Sequence, residues 1–176
     1  MDRVNPLVLK DWDLIVEHWE RPDNKIDAST IAQKRNSTHK LESPISWRDI
    51  EDLQDVAGVG HYTTNLTWSW ADNPAKGAYL ELPAVSQGAR AYVNGHAVPK
   101  FDLLGGKRDI TRFLQEGENE IYLTVPSTLW NYMRTLLEDT VMSGMEPHMP
   151  EMTPRMDNGI FGDVLVHFYE KIVLEC

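Results

Sequence analysis

Cysteine is nearly missing from this chain: there is one in 176 residues, Cys176, at the last position. It has no partner within the chain, which excludes an internal disulfide and any site built on paired cysteines, and it fits a reducing compartment. No apolar run reaches the roughly 18 residues that a membrane span needs. The opening Met1-Asp2-Arg3-Val4-Asn5-Pro6 lacks the basic and then apolar pattern of a secretory signal. The expectation is a cytoplasmic chain without a membrane span. Positive charge is also in short supply. Seventeen Lys and Arg stand against 27 Asp and Glu, a formal net charge of −10, which repels a polyanion and excludes nucleic acid as the natural partner. Metal and cofactor signatures are absent: there is no His pair at i and i+4 on a helix, no calcium loop, no phosphate-binding glycine loop and no nucleophile elbow. The sequence therefore predicts neither a metal nor a cofactor.

What the chain does have is strand signal. Val8 to Trp19 alternates, with Val8, Trp12, Leu14 and Val16 on one side and Asp11, Asp13 and Glu17 on the other. The stretch 20–46 turns polar and loses its period, predicting a long connection with one helical turn near 28–35. Ser46 to Leu53 carries a hydroxyl cap, early acids and Trp47, Ile50 and Leu53 at spacings of three, predicting a short amphipathic helix. Gly58-Val59-Gly60 reads as a breaker before the clearest strand, His61 to Trp70, where Tyr62, Thr64, Leu66, Trp68 and Trp70 share one face. Tyr79–Leu82, Arg90–Val93, Glu120–Pro126 and Asp163–Leu174 add further strands. Asn94-Gly95 between apolar runs predicts a type I′ hairpin, Asp109-Ile110-Thr111 a capped helical turn, and Gly117-Glu118-Asn119 the turn before a strand. The sum is an all-β chain, one jelly-roll β-sandwich domain over 1–176 with one or two short helices.

The hairpin and the two turns together resemble the sugar-binding β-sandwich domain of family 2 glycoside hydrolases. Ser46-Trp47-Arg48-Asp49-Ile50, the stretch Val56 to Thr64, Ser127-Thr128-Leu129-Trp130-Asn131 and Gly159 to Val164 follow in order. They look like the C-terminal galactose-binding-like domain of family-106 α-L-rhamnosidase-like proteins, and they cover most of the chain. The chain departs from that family's pattern at Ala57, where Ser is usual, and at Asn158-Gly159-Ile160, where Tyr-Gly-Leu is usual. The resemblance implies a galactose-binding-like fold and a sugar-binding ancestry in a stand-alone copy, without the catalytic barrel and so without glycosidase activity. Sandwiches of this type often hold a structural calcium.

Three stretches could carry a site. His61, Thr63, Asn65 and Thr67 form the polar face of a strand, ordinarily the solvated side of a sheet. In Ser127 to Met133, the structural expectation has Trp130 filling the core and Asn131 satisfying buried backbone groups. Residues 142–156 hold five of the seven methionines among three prolines, a composition that suits either disorder or a flap over an irregular apolar ligand. From these come His61, Thr63 and Asn131 as candidate catalytic donors, with Tyr62, Asn65, Trp130, Tyr132, Met133, Met149, Met152 and Phe161 as candidate ligand contacts. One functional expectation is a small enzyme that holds a hydrophobic polyene or terpenoid-like substrate and directs its cyclisation, in the narrowest form a [4+2] addition. The alternative is a non-catalytic carbohydrate-binding module whose partner is a glycan. A third is an interaction domain with no small ligand.

Overall fold

The computed structural model describes residues 5–24, 29, 32–71, 76–83, 85, 87–101, 106–140 and 154–170. The described strands are β1 (Leu7–Val8), β2 (Trp12–Glu20), β3 (Gln33–Leu41), β4 (Gly58–Trp68), β5 (Lys76–Leu82), β6 (Arg90–Val93), β7 (His96–Ala97), β8 (Gly106–Asp109), β9 (Gly117–Pro126) and β10 (Leu165–Glu170). One α-helix, α1 (Trp130–Thr140), follows β9. The strands make two antiparallel sheets, ordered β1-β10-β5-β8 and β3-β2-β4-β9-β6-β7. This is the β-sandwich that the alternating runs predict.

Alternation decides which side chains meet between the sheets. Trp12, Leu14 and Val16 of β2, Tyr62, Leu66 and Trp68 of β4, and Ile121, Leu123 and Val125 of β9 are buried with Leu80 and Val166 from the other sheet. Trp68 reaches Phe168 of β10, with ring centroids 5.8 Å apart. Each large apolar side chain fully removed from water contributes about 1.5–3 kcal/mol. The β6–β7 hairpin turns at Asn94 and Gly95, with φ of 50° and 77°, the paired positive values that a type I′ turn demands. The Asp109 carboxylate accepts the Thr111 N–H at 2.9 Å just ahead of the short 3₁₀ turn Thr111–Phe113, whose cap residue is Ile110 and carries no side-chain cap.

Several boundaries differ from the sequence expectation. The run predicted as one strand over 8–19 is two, because Asp11 takes a left-handed φ of 56° and its N–H bonds to the Glu42 carbonyl at 3.0 Å. That corner sends β1 to one sheet and β2 to the other. The polar stretch 20–46 contains β3, which pairs with β2 over nine residues. An edge strand with little to bury shows no apolar period. Its cations instead match acids on β2: Lys34 with Glu17 at 2.9 Å, Arg35 with Glu20 at 2.7 Å and Lys40 with Asp13 at 2.7 Å.

Ser46 to Leu53 folds as two 3₁₀ turns, Trp47–Asp49 and Glu51–Leu53, and Ser46 makes no side-chain cap. A spacing of three is the 3₁₀ repeat, which is how Trp47 and Leu53 both come to be buried. β4 starts at Gly58, so the residues expected to break the chain lie within the strand, and Trp70 lies beyond its end, exposed. A side chain at Gly60 would collide with Trp47 and Tyr62. α1 has no counterpart among the predicted elements.

Candidate functional site

The six-stranded sheet turns a distinctive surface outward. Registers place Ile15 of β2 opposite His61 of β4, and Thr63 opposite Tyr122 of β9, which in turn faces Tyr92 of β6. His61 Nδ1 and the Tyr122 hydroxyl are hydrogen-bonded at 2.6 Å, and the rings are nearly parallel, 11° apart, with centroids at 6.0 Å. At that separation the two rings are stacked with an offset, and both half-buried side chains contribute to one outward surface. Tyr92 continues it, 5.6 Å from Tyr122. Ile15 is 42% exposed at the near end. Burial raises the Tyr122 phenol above its ordinary pKa, helped by Tyr92 and Glu120, so it stays a neutral hydroxyl.

Two of the carboxylates bordering this face, those of Asp13 and Glu17, are held in ion pairs, while Glu120 stands exposed on it opposite Asn65. Asp13 pairs with Lys40. Glu17 accepts the Trp19 indole N–H at 2.6 Å and the Lys34 ammonium at 2.9 Å. These two bonds, the Trp19 one foremost, hold its carboxyl below the usual range, the opposite of what a general acid needs.

A second grouping gathers where α1 begins. Asn131 is fully buried, and its amide makes a two-bond ring with the backbone of Met156, donating from Nδ2 to the carbonyl and accepting the N–H at Oδ1, both at 2.8 Å. Asp55 accepts two bonds from Arg155 at 2.8 Å and one from Arg134 at 3.0 Å. The Arg155 bonds are the main reason that its carboxyl is held below the ordinary range. Together these contacts fasten residues 155–156 to α1 and to the turn before β4. Beside them lies an open cleft of about 270 Å³, with His18, Trp19, Glu20, Asp52 and Tyr132 among its lining.

The predicted residues thus divide into groups. His61, Thr63 and Asn65 share the outer face of β4, as expected from alternation. Tyr62 points the other way into the core. There it accepts from Trp47 Nε1 at 2.7 Å and from the Ile160 N–H at 3.2 Å, and burial pushes its pKa up to about 12; it has no surface to offer a ligand. Asn131 occupies the structural role weighed for it, satisfying backbone, and none of its hydrogen bonds reaches His61 or Thr63. Trp130 is not in the core: it is 37% exposed and donates to the Pro154 carbonyl at 3.0 Å. Met133 is exposed, Phe161 is half-buried, and the Tyr132 hydroxyl accepts the Arg21 N–H at 2.8 Å. Met149 and Met152 lie outside the described residues, as does 142–153 of the expected flap.

Tyr122, Tyr92 and Ile15 were missed by sequence reasoning. Their signal was present, since each takes an outward position in an alternating strand, but only strand order brings them beside His61. Among the described residues no group of three or more His, Cys, Asp or Glu side chains is placed to hold a metal ion. No described helix is long and apolar enough to cross a membrane.

No protein-family model matches the chain, and no curated protein matches it by sequence. Solved structures do. The rhamnosidase from Novosphingobium sp. PP1Y is 18% identical with a TM-score of 0.61, covering 93% of this chain and 15% of its own. The β-D-glucuronidase of Dictyoglomus thermophilum is 19% identical at 0.57, covering 97% and 29%. The β-glucuronidase of Faecalibacterium prausnitzii is 17% identical at 0.59, covering 97% and 32%. The fold is a galactose-binding-like β-sandwich. The chain spans less than a third of each of these glycosidases, and identities this low carry the fold and not the activity.

Proposed function

We propose that this chain is a carbohydrate-binding domain that holds a saccharide on the outer face of its six-stranded sheet. The observation that carries this reading is the continuous surface of His61, Tyr122 and Tyr92, with Ile15 at one end and Thr63 and Asn65 beside it. Sugars present apolar C–H faces and a rim of hydroxyls, so they suit aromatic rings bordered by short polar side chains. Glu17, its carboxyl held below the usual range by Trp19 and Lys34, is a ready acceptor and a poor proton donor, which favours binding over hydrolysis at that end of the face. The likeness to part of a rhamnosidase and of two glucuronidases supports the same class of ligand.

Cyclisation of a hydrophobic substrate calls for an enclosed apolar cavity. Three clefts lined by described residues are open to solvent, which weighs toward the saccharide.

The test is calorimetric titration of the protein with oligosaccharides containing rhamnose, glucuronic acid or mannose. At least one should bind, and Tyr122→Ala should weaken it about tenfold, the loss of a stacked ring being worth about 1–1.5 kcal/mol. Binding that survives both Tyr122→Ala and Tyr92→Ala, or no binding across the panel, would overturn the assignment.

A further inference from the structure

Most described cations of this acid-rich chain are engaged by carboxylates. Lys34, Arg35 and Lys40 pair with acids of β2, and Arg134 and Arg155 pair with Asp55. Arg90 and Lys100 differ. Both are exposed, both line one open cleft of about 340 Å³, and neither has an ion-pair partner among the described residues. No carboxylate lines this cleft among the described residues. A cleft lined by charge of one sign focuses its field and draws the opposite ion. Arg108 steadies the wall: its Nε donates to the Lys100 carbonyl at 2.7 Å, and its guanidinium lies over the Phe101 ring, 5.4 Å from the centroid.

The cleft is continuous with the aromatic sheet face. Thr124 of β9 stands opposite His61 of β4 on one side and opposite Arg90 of β6 on the other, and it lines the cleft itself. Two steps of about 4.8 Å between strands set the Arg90 backbone about 10 Å from that of His61, within the span of a disaccharide. Tyr92 lies two residues beyond Arg90 and so shares its face. The outward positions of β9 run Glu118, Glu120, Tyr122, Thr124, with both acids exposed. The face is therefore polarised, with carboxylates before the rings and free cations after them.

We propose that the saccharide held on this face is an acidic one, whose carboxylate enters the cleft and accepts from Arg90 and Lys100 while a neighbouring ring lies on Tyr122 and His61. This rests on the saccharide reading and adds the class of sugar and its direction on the sheet. The planar guanidinium matches a carboxylate with two parallel N–H donors, and the Lys100 ammonium supplies a further charge-assisted bond. A neutral sugar leaves both cations unanswered. The reversed direction brings the carboxylate against Glu118 and Glu120, which repel it.

The experiment is a calorimetric titration of the whole chain with the disaccharide of glucuronic acid β-1,4-linked to glucose, and in parallel with its methyl ester, which keeps both rings and removes the charge. The free acid should bind about tenfold more tightly at low salt, and the gap should narrow as salt is raised. Arg90→Gln combined with Lys100→Gln should remove the preference. Both side chains are exposed, so the substitutions test charge and not folding. Equal affinities for acid and ester, or a preference that survives the double substitution, would overturn the proposal and leave the saccharide reading standing, since Tyr122→Ala should weaken acid and ester alike. Acid binding that depends on Arg90 and Lys100 but not on Tyr122 would overturn the sheet-face reading and, with it, this arrangement. Binding of neither disaccharide would overturn the proposal, and the wider sugar panel then decides the saccharide reading separately.

Discussion

Asn119 accepts the side-chain N–H of Asn94 at its Oδ1, 2.7 Å away, and so joins the start of β9 to the β6–β7 hairpin turn. The pair is the centre of a wider set. Asn119 is fully buried; its Oδ1 also accepts the Gln115 N–H at 2.8 Å, and its Nδ2 donates to the carbonyls of Gln115 and Gly117. Asn94 donates to the Phe113 carbonyl and accepts the Glu120 N–H at 3.0 Å. Three sequence motifs that read as separate turns are therefore one hydrogen-bonded unit. Asn119→Ala should lower stability by about 2 kcal/mol, since it removes the side-chain partner of the Gln115 N–H, of the Gln115, Gly117 and Leu66 carbonyls and of the Asn94 amide. Urea unfolding measures it; a loss within experimental error of zero would show that the unit does not act as a clamp.

The Tyr62 hydroxyl serves two buried donors, Trp47 Nε1 and the Ile160 N–H. Tyr62→Phe should cost about 2–4 kcal/mol, because both are left without an acceptor. Gly159→Ala should be comparably harmful. Gly159 has φ of +78°, and a Cβ there would run into the Trp47 and Tyr62 side chains at their hydrogen bond. Thermal unfolding of the two variants, and of the pair, checks whether the losses fall short of additivity as a shared contact requires.

Asn131 and Met156 close a ring of two hydrogen bonds next to the Asp55–Arg155 pair. Asn131→Ala should accelerate hydrogen exchange at the Met156 amide by about tenfold or more, as its acceptor is lost. The exchange rate in strand β4 should change far less. Equal acceleration in both places would mean that the contact supports the whole fold and not this attachment.

His18 makes stability depend on pH with a definite sign. Its folded pKa is lowered from 6.5, chiefly by burial. Just below 6.5 the unfolded chain binds more protons at this site than the folded one, so stability rises as pH increases through that window. The urea midpoint should be lower near about pH 5.5 than near about pH 7.5, and His18→Gln should flatten the difference attributable to this group. A wild-type midpoint that rises on acidification would contradict the burial argument.

Much of the architecture could be read locally. Alternation in β2, β4 and β9 named the inward residues Trp12, Leu14, Tyr62, Leu66 and Trp68, and Asn94-Gly95 named its own turn, because period and turn chemistry act over a few residues. β3 escaped notice for a physical reason: an edge strand buries little and is held by backbone pairing and by ion pairs to β2, neither of which leaves an apolar period. The corner at Asp11 was equally hidden, since one left-handed residue does not interrupt an alternating pattern. α1 lay in a stretch that reads only as the end of a strand followed by aromatics.

The candidate sites divide along the same line. That His61, Thr63 and Asn65 share a face follows from the sequence alone, because side chains two apart in a strand point the same way. That Tyr122, Tyr92 and Ile15 join them was decided by strand order, which sets neighbours from distant segments at one register. The cleft at Arg90 likewise exists only in the folded chain. Nothing in the sequence sets Arg90 and Lys100 apart from the cations that find carboxylates; the pairing of β6 with β9 and the return of the chain to Phe101 bring the two to one cleft, away from the described acids.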